Sequence, residues 1–160
     1  MRRAVPFPIV RLVRRSTPPS PPVAGEEPAV EDLASVRTEV ADVVATSDGI
    51  VEVRMFEGVF VGVDEMAAVL DAHWSLVPPP DPGLTLVDAR PVRSMTRAAQ
   101  ELSAHHPLAD RQRAVAILVS NPVSRILGSV FLRLVKPPYP TRLFALRRDA
   151  RAWLLAEASR

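Results

Sequence analysis

One stretch, Ala114–Phe144, constrains the fold of this chain more than any other: AVAILVSNPVSRILGSVFLRLVKPPYPTRLF. It opens on an unbroken apolar run, Ala114–Val119, the pattern of a strand covered on both faces. Ser120-Asn121-Pro122 then ends the strand and starts a helix. Asn accepts an amide hydrogen bond at a helix N-cap, and proline at the first helical position gives up an N–H that would be unpaired anyway. The helix predicted over Pro122–Val135 carries Val123, Ile126, Leu127, Val130, Phe131, Leu132, Leu134 and Val135. That apolar arc is too wide for one buried stripe, so the helix is either deeply buried or a contact for a partner. Pro137, Pro138 and Pro140 stiffen the next corner and hold Tyr139 between them. Leu143–Leu146 reads as a last strand and Arg147–Ala158 as a last helix burying Ala150, Trp153 and Leu154. Arg147 and Arg148 oppose the positive end of that helix dipole, so an acid or an anion must answer them.

The preceding residues extend the same alternation. Val36–Thr46 fits either a helical stripe or a strand, and periodicity alone does not separate the two. Ser47-Asp48-Gly49 is turn chemistry, and Ile50–Phe56 is rich in β-branched residues, so a hairpin is expected, with Glu52 and Arg54 on its exposed face. Met66, Val69, Leu70, His73, Trp74 and Val77 recur at helical spacing until the proline loop 78–83 stops them. Leu84–Val87 reads as a buried strand ending at Asp88, and a helix capped by Ser94 or Thr96 follows. Strands alternating with helices define an α/β domain.

Residues 1–34 differ. The first 22 residues hold six prolines, five arginines and no acid, the composition of a disordered tail, and the prolines interrupt any signal-peptide core. A sharper reading makes this a basic arm for anionic lipid, through Arg11, Arg14 and Arg15. The domain is expected over 35–160. Outside residues 1–22, 15 basic residues face 18 acidic ones, a formal net charge of −3, so no nucleic-acid partner is expected. No segment approaches the ~18 apolar residues of a membrane span. The absence of cysteine excludes disulfides, thiolate metal sites and cysteine nucleophiles, and fits a reducing, cytoplasmic setting. Arginine supplies every basic residue except Lys136, which, with abundant Ala, Val and Pro, fits a GC-rich bacterial genome.

Two groups of residues invite a functional reading. Asp88 ends a strand where α/β folds place ligands, with Arg90, Ser94 and Thr96 in the turn beyond; the plainer alternative pairs Asp88 with Arg90 or Arg93 or with loop amides. Ser124, Arg125, Leu132, Arg133, Lys136, Tyr139 and Arg142 form the second group, a candidate interaction surface around the proline corner. Adjacent helical residues point different ways, so His105-His106 with Asp110 makes no chelate, and His73 reads as a core or boundary histidine. No catalytic constellation, phosphate loop or metal cluster is visible, and no cofactor is expected.

The segments DGIVEVR, LVDARPVRSMTRAA and VSNPVSRILGSVFLRLVKPPYPTRLF resemble the STAS family, the anti-sigma-factor-antagonist fold, and an uncharacterised bacterial group related to STAS and CRAL-TRIO domains. The resemblance covers roughly Val36–Ala156 and implies a mixed β-sheet with helices in ββαβαβαβα order. It implies a non-catalytic regulatory or scaffolding domain acting through a protein partner or a second copy of itself. The alternative is a module for a small ligand or an anionic lipid head group, with Arg125, Arg133, Lys136 and Arg142 as the cations. The family's Asp-Ser-[Ser/Thr]-Gly phosphorylation turn is replaced here by Ser94-Met95-Thr96-Arg97-Ala98-Ala99, with Arg97 or Ala98 at the phosphoacceptor position. Phosphoregulation by that route is therefore not implied, although Ser94 and Thr96 retain hydroxyls.

Overall fold

The computed structural model describes residues 10–11, 30–121, 133 and 135–160. The chain forms β1 (Val10–Arg11), β2 (Asp32–Arg37), β3 (Ala41–Thr46), β4 (Val51–Met55), β5 (Phe60–Val61), α1 (Val63–Ser75), β6 (Gly83–Asp88), β7 (Ser94–Met95), α2 (Arg97–Ala104), β8 (Gln112–Leu118), β9 (Thr141–Phe144) and α3 (Arg147–Ala158). Seven strands make one mixed sheet in the order β1-β2-β3-β4-β6-β8-β9. Pairing is antiparallel from β1 to β4 and parallel from β4 to β9. The α/β class is thus present, and so are the expected strands and helices apart from helix 122–135, most of which lies outside the described residues.

Local chemistry accounts for the boundaries. Gly49 turns the β3–β4 hairpin at φ +83°, and Thr46 closes it by donating its hydroxyl to the Ile50 carbonyl at 2.7 Å. Val36–Thr46 is two strands rather than one. Thr38 Oγ1 accepts from the amides of Val40 and Ala41 at 3.3 and 3.0 Å, an ST-type turn that Val40 obscures in the sequence. The domain also begins earlier than residue 35: β2 starts at Asp32, and Val10–Arg11 pairs with it through Val10↔Val36 and Arg11↔Ser35. A composition boundary marks where proline and arginine thin out, not where an edge strand finds its partner. The remainder of the proposed tail lies outside the described residues.

Helices cover both faces of the sheet. On one face Val36, Val43, Val51, Val53 and Met55 pack against α1 and α2. On the other, Leu84, Leu86, Ala114, Ala116 and Leu118 pack against Ala150 and Leu154 of α3. Burying a leucine such as Leu154 supplies about 1.5–3 kcal/mol. The apolar run in β8 is covered unevenly. Ala114, Ala116 and Leu118 are fully buried under α3, while Val115 and Ile117 on the opposite face are only half-buried. A bulge shifts the β6–β8 register between Gly83↔Gln112 and Leu84↔Ala114. Gly83 leaves little room there: a Cβ would stand 3.1 Å from both Gln112 Oε1 and the Trp74 ring, and those side chains would have to shift by a few tenths of an ångström. No helix among the described residues is long and apolar enough to cross a membrane.

Candidate functional site

Three features could carry function: a cluster of charges under α3, the loops at the strand ends, and a cavity between the sheet and α1–α2.

The charge cluster is built on Glu52. Sequence alternation puts Glu52 on an exposed face, but it is 2% exposed, because α3 roofs that face. Arg147 and Arg151 of α3 reach down to it: Arg147 Nη1 donates at 2.6 Å, and Arg151 Nη1 donates to Oε1. Arg54 Nε donates to Glu52 at 2.8 Å and its other two nitrogens clamp Asp32, both at 2.8 Å. Arg151 also holds Asp48 at 2.5 Å, and Asp88 accepts from Arg90 at 2.6 and 2.7 Å and from Arg147 at 3.0 Å. Arg147, awkward at a helix N-terminus, is therefore answered by two acids. Four carboxylates and four guanidiniums satisfy one another. The hydrogen bonds from Arg54 hold Asp32 below the usual carboxylate range, and those from Arg90 do the same for Asp88. Burial works to raise Asp48, but the bonds from Arg151 and Thr46 outweigh it and its value is lowered too. Carboxylates so engaged anchor α3 and the strand ends to the sheet.

At the strand-end loops, β5 and β7 pair in parallel through Phe60↔Ser94 and Val61↔Met95. Thr96 Oγ1 accepts the Ala99 amide at 3.1 Å and caps α2. Ser94 is exposed. Beside it Phe60 is 64% exposed, with the Arg93 guanidinium 5.5 Å over its ring, and Val63 at the start of α1 is 44% exposed.

The cavity, about 390 Å³, lies on the α1–α2 face. Val87, Val115, Ile117 and Leu143 of the sheet and Met66, Val69 and Leu70 of α1 line it. His73, Thr85 and Gln112 form a buried polar chain at its wall. Gln112 Nε2 lies 2.8 Å from the Gly83 carbonyl, 2.9 Å from the Ala114 carbonyl and 2.9 Å from Thr85 Oγ1. That nitrogen shares two hydrogens among three acceptors and cannot itself accept, so among the described contacts the Thr85 hydroxyl proton has one acceptor, His73 Nε2, 2.7 Å away. That assigns the remaining proton to His73 Nδ1, which is buried without a partner. Burial holds the imidazole neutral, with its pKa pushed down to about 3, and the neighbouring His106 and Arg111 add to the shift.

A neutral native histidine fixes the sign of a pH dependence. The unfolded chain takes up a proton near the ordinary value of 6.5 and the native chain does not. Stability therefore declines as pH falls below that value, and the paired aspartates add to the decline only below their ordinary 3.8. Urea midpoints measured across this range should fall from mildly acidic pH onward in the native sequence. In His73→Phe the decline should be clearly smaller, the remainder coming from His106, whose pKa burial also lowers, until the aspartates titrate. The same early decline in both proteins would refute the assignment.

The described proline-corner residues do not all share one face. Ser124, Arg125 and Leu132 lie outside the described residues, as does most of the predicted helix 122–135. Arg133 and Lys136 are exposed. Tyr139 is tucked inward, its hydroxyl donating to the Ser103 carbonyl at 2.7 Å beside the cavity. Arg142 stands over Phe144 and Trp153, the ring pair on the α3 side, 5.8 Å from each centroid. Tyr139 and Arg142 therefore serve opposite faces of the sheet. Asp88 and Arg90 are paired with each other, and Ser94 and Thr96 sit on the strand-end loops. The His105 ring contacts Glu101 at 3.8 Å, whereas His106 is buried next to Trp74. Sequence reasoning missed the polar chain, although Thr85 within LTLV and Gln112 before an apolar run are polar residues at core positions.

Fold and site together define a mixed α/β domain with a helix-covered sheet, a charge-pinned C-terminal helix and a cavity between the sheet and α1–α2. The chain belongs to the DUF7793 family, a domain of unknown function, whose family model matches residues 44–157. No curated protein matches it. Among solved structures it is similar to an uncharacterized protein from the DUF3478 family with a SpoIIAA-like fold from Shewanella loihica PV-4. That match has a TM-score of 0.49 and 14% sequence identity, and covers 83% of this chain and 99% of the other.

Proposed function

We propose that this chain is a non-enzymatic regulatory domain that binds a protein partner through the strand-end loops around Phe60. The observation that carries the reading is the position of Phe60. A phenylalanine ring is 64% exposed on a short parallel ladder whose register fixes it in place. Exposed aromatics held on rigid backbone are the residues that dominate protein interfaces, since they lose little conformational entropy on docking. Val63 extends the apolar surface and Arg93 lies across the ring, a pairing of aromatic and guanidinium frequent at interface centres. The engagement of Asp88, Arg90 and Arg147 with one another supports a non-catalytic reading of the strand end.

The test separates binding from folding. Phe60→Ser removes surface that folding does not bury, so thermal unfolding should change by less than about 0.5 kcal/mol. Partner capture, or self-association measured by light scattering over a range of concentrations, should be lost. A variant that assembles like the native chain would overturn the proposal.

A further inference from the structure

The strand-end loops leave the cavity unexplained. Its walls combine two properties that a merely imperfect core does not. The lining among the described residues is mainly apolar and carries no carboxylate, lysine or arginine, and at about 390 Å³ the cavity falls within the ~300–1,000 Å³ of small-molecule pockets. It also contains a directional polar chain, Gln112 to Thr85 to His73, that ends on a buried Nδ1–H with nothing to receive it. His73 is 3% exposed. Native proteins seldom leave such a donor unpaired, and the exceptions point to a group that the protein alone does not supply. Further polar atoms, those of Gln100, Ser103 and Tyr139, lie along the same lining.

We propose that the cavity is the binding site for a small uncharged molecule with a hydrocarbon body and a single hydrogen-bond acceptor, a ketone, ester or ether oxygen, that accepts from His73 Nδ1–H. The lining dictates each part of this description. Apolar walls reward hydrocarbon burial. Among the described lining residues a carboxylate or phosphate would find no cation to pair it, which is costly in a mainly apolar site. The tautomer set by Thr85 makes His73 a donor, so the ligand must accept. The site is distinct from the Phe60 surface and stands or falls independently of it.

The neutral dye phenylnaphthylamine, whose fluorescence rises in apolar surroundings, reports occupancy of the full chain. Methyl octanoate should displace it at least about tenfold more effectively than octanoate of the same chain length at neutral pH, a difference worth about 1.4 kcal/mol. Ala104→Leu and Ala89→Leu fill the cavity from α2 and from the loop after β6, and each should abolish dye binding while far-ultraviolet circular dichroism stays native. If Ala104→Leu fails to fold, Ala89→Leu decides, because Ala89 is only partly buried. His73→Phe should weaken methyl octanoate about tenfold yet leave octane binding unchanged. Absence of dye binding, dye binding that survives both filling variants, octanoate competing as well as the ester, or equal loss of octane and ester in His73→Phe would each overturn the proposal.

Discussion

Replacing Arg151 by methionine lowers the stability of this protein by about 3–5 kcal/mol. Arg151 is only 13% exposed and holds two carboxylates at once, Asp48 and the deeply buried Glu52. Methionine fills much of the same volume, so the loss is electrostatic. Asp48 is left without its cation, and Glu52 keeps only Arg54 and Arg147 in a place where water cannot substitute. Removing one partner of a buried pair is costly because the other charge stays buried. Glu52→Leu in the Arg151→Met background should therefore recover part of the loss, and a double-mutant cycle by urea denaturation measures the coupling. Additive losses would mean that the two groups do not depend on each other. A surface pair gives the contrast: with Arg37 71% exposed, removing its partner Asp42 should barely move the urea midpoint.

Gln112→Leu is the second large effect, a loss of about 2–4 kcal/mol read from the same denaturation curves. The two side chains are similar in size, so no large void forms. The cost arises because one amide nitrogen serves the Gly83 and Ala114 carbonyls and the Thr85 hydroxyl at the β6–β8 bulge. Leucine leaves those acceptors dry. Gln112→Glu brings no donor and should be at least as damaging at neutral pH. A loss below about 0.5 kcal/mol for Gln112→Leu, the scale of ordinary surface changes, would show that these contacts do not stabilise the fold.

These predictions concern residues that reading the chain in order does not bring together. The D-G turn at Asp48-Gly49, the apolar strand 114–119 and the proline loop before β6 were legible because each follows from local rules: positive φ at glycine, continuous apolar patterning, a missing N–H at proline. Asp88 was legible as a strand-end residue, and its pairing with Arg90 is a contact two residues away. Glu52 was misread, since alternation reports which face a side chain takes but not what covers that face. The proline corner places Tyr139 among candidate surface residues, yet its hydroxyl finds the Ser103 carbonyl, 36 positions away.

The sequence by itself determined the α/β class, the principal helices and most strands, and the turns between them, because backbone sterics and hydrophobic periodicity act over a few residues. Only the tertiary structure decided that α3 would lay Arg147 and Arg151 onto Glu52, 95 and 99 positions away. Only the tertiary structure joined His73, Thr85 and Gln112 into one polar chain beside a cavity. Both depend on how helices seat on a twisted sheet, and burial and hydrogen bonding across that sheet act between residues that no local pattern connects.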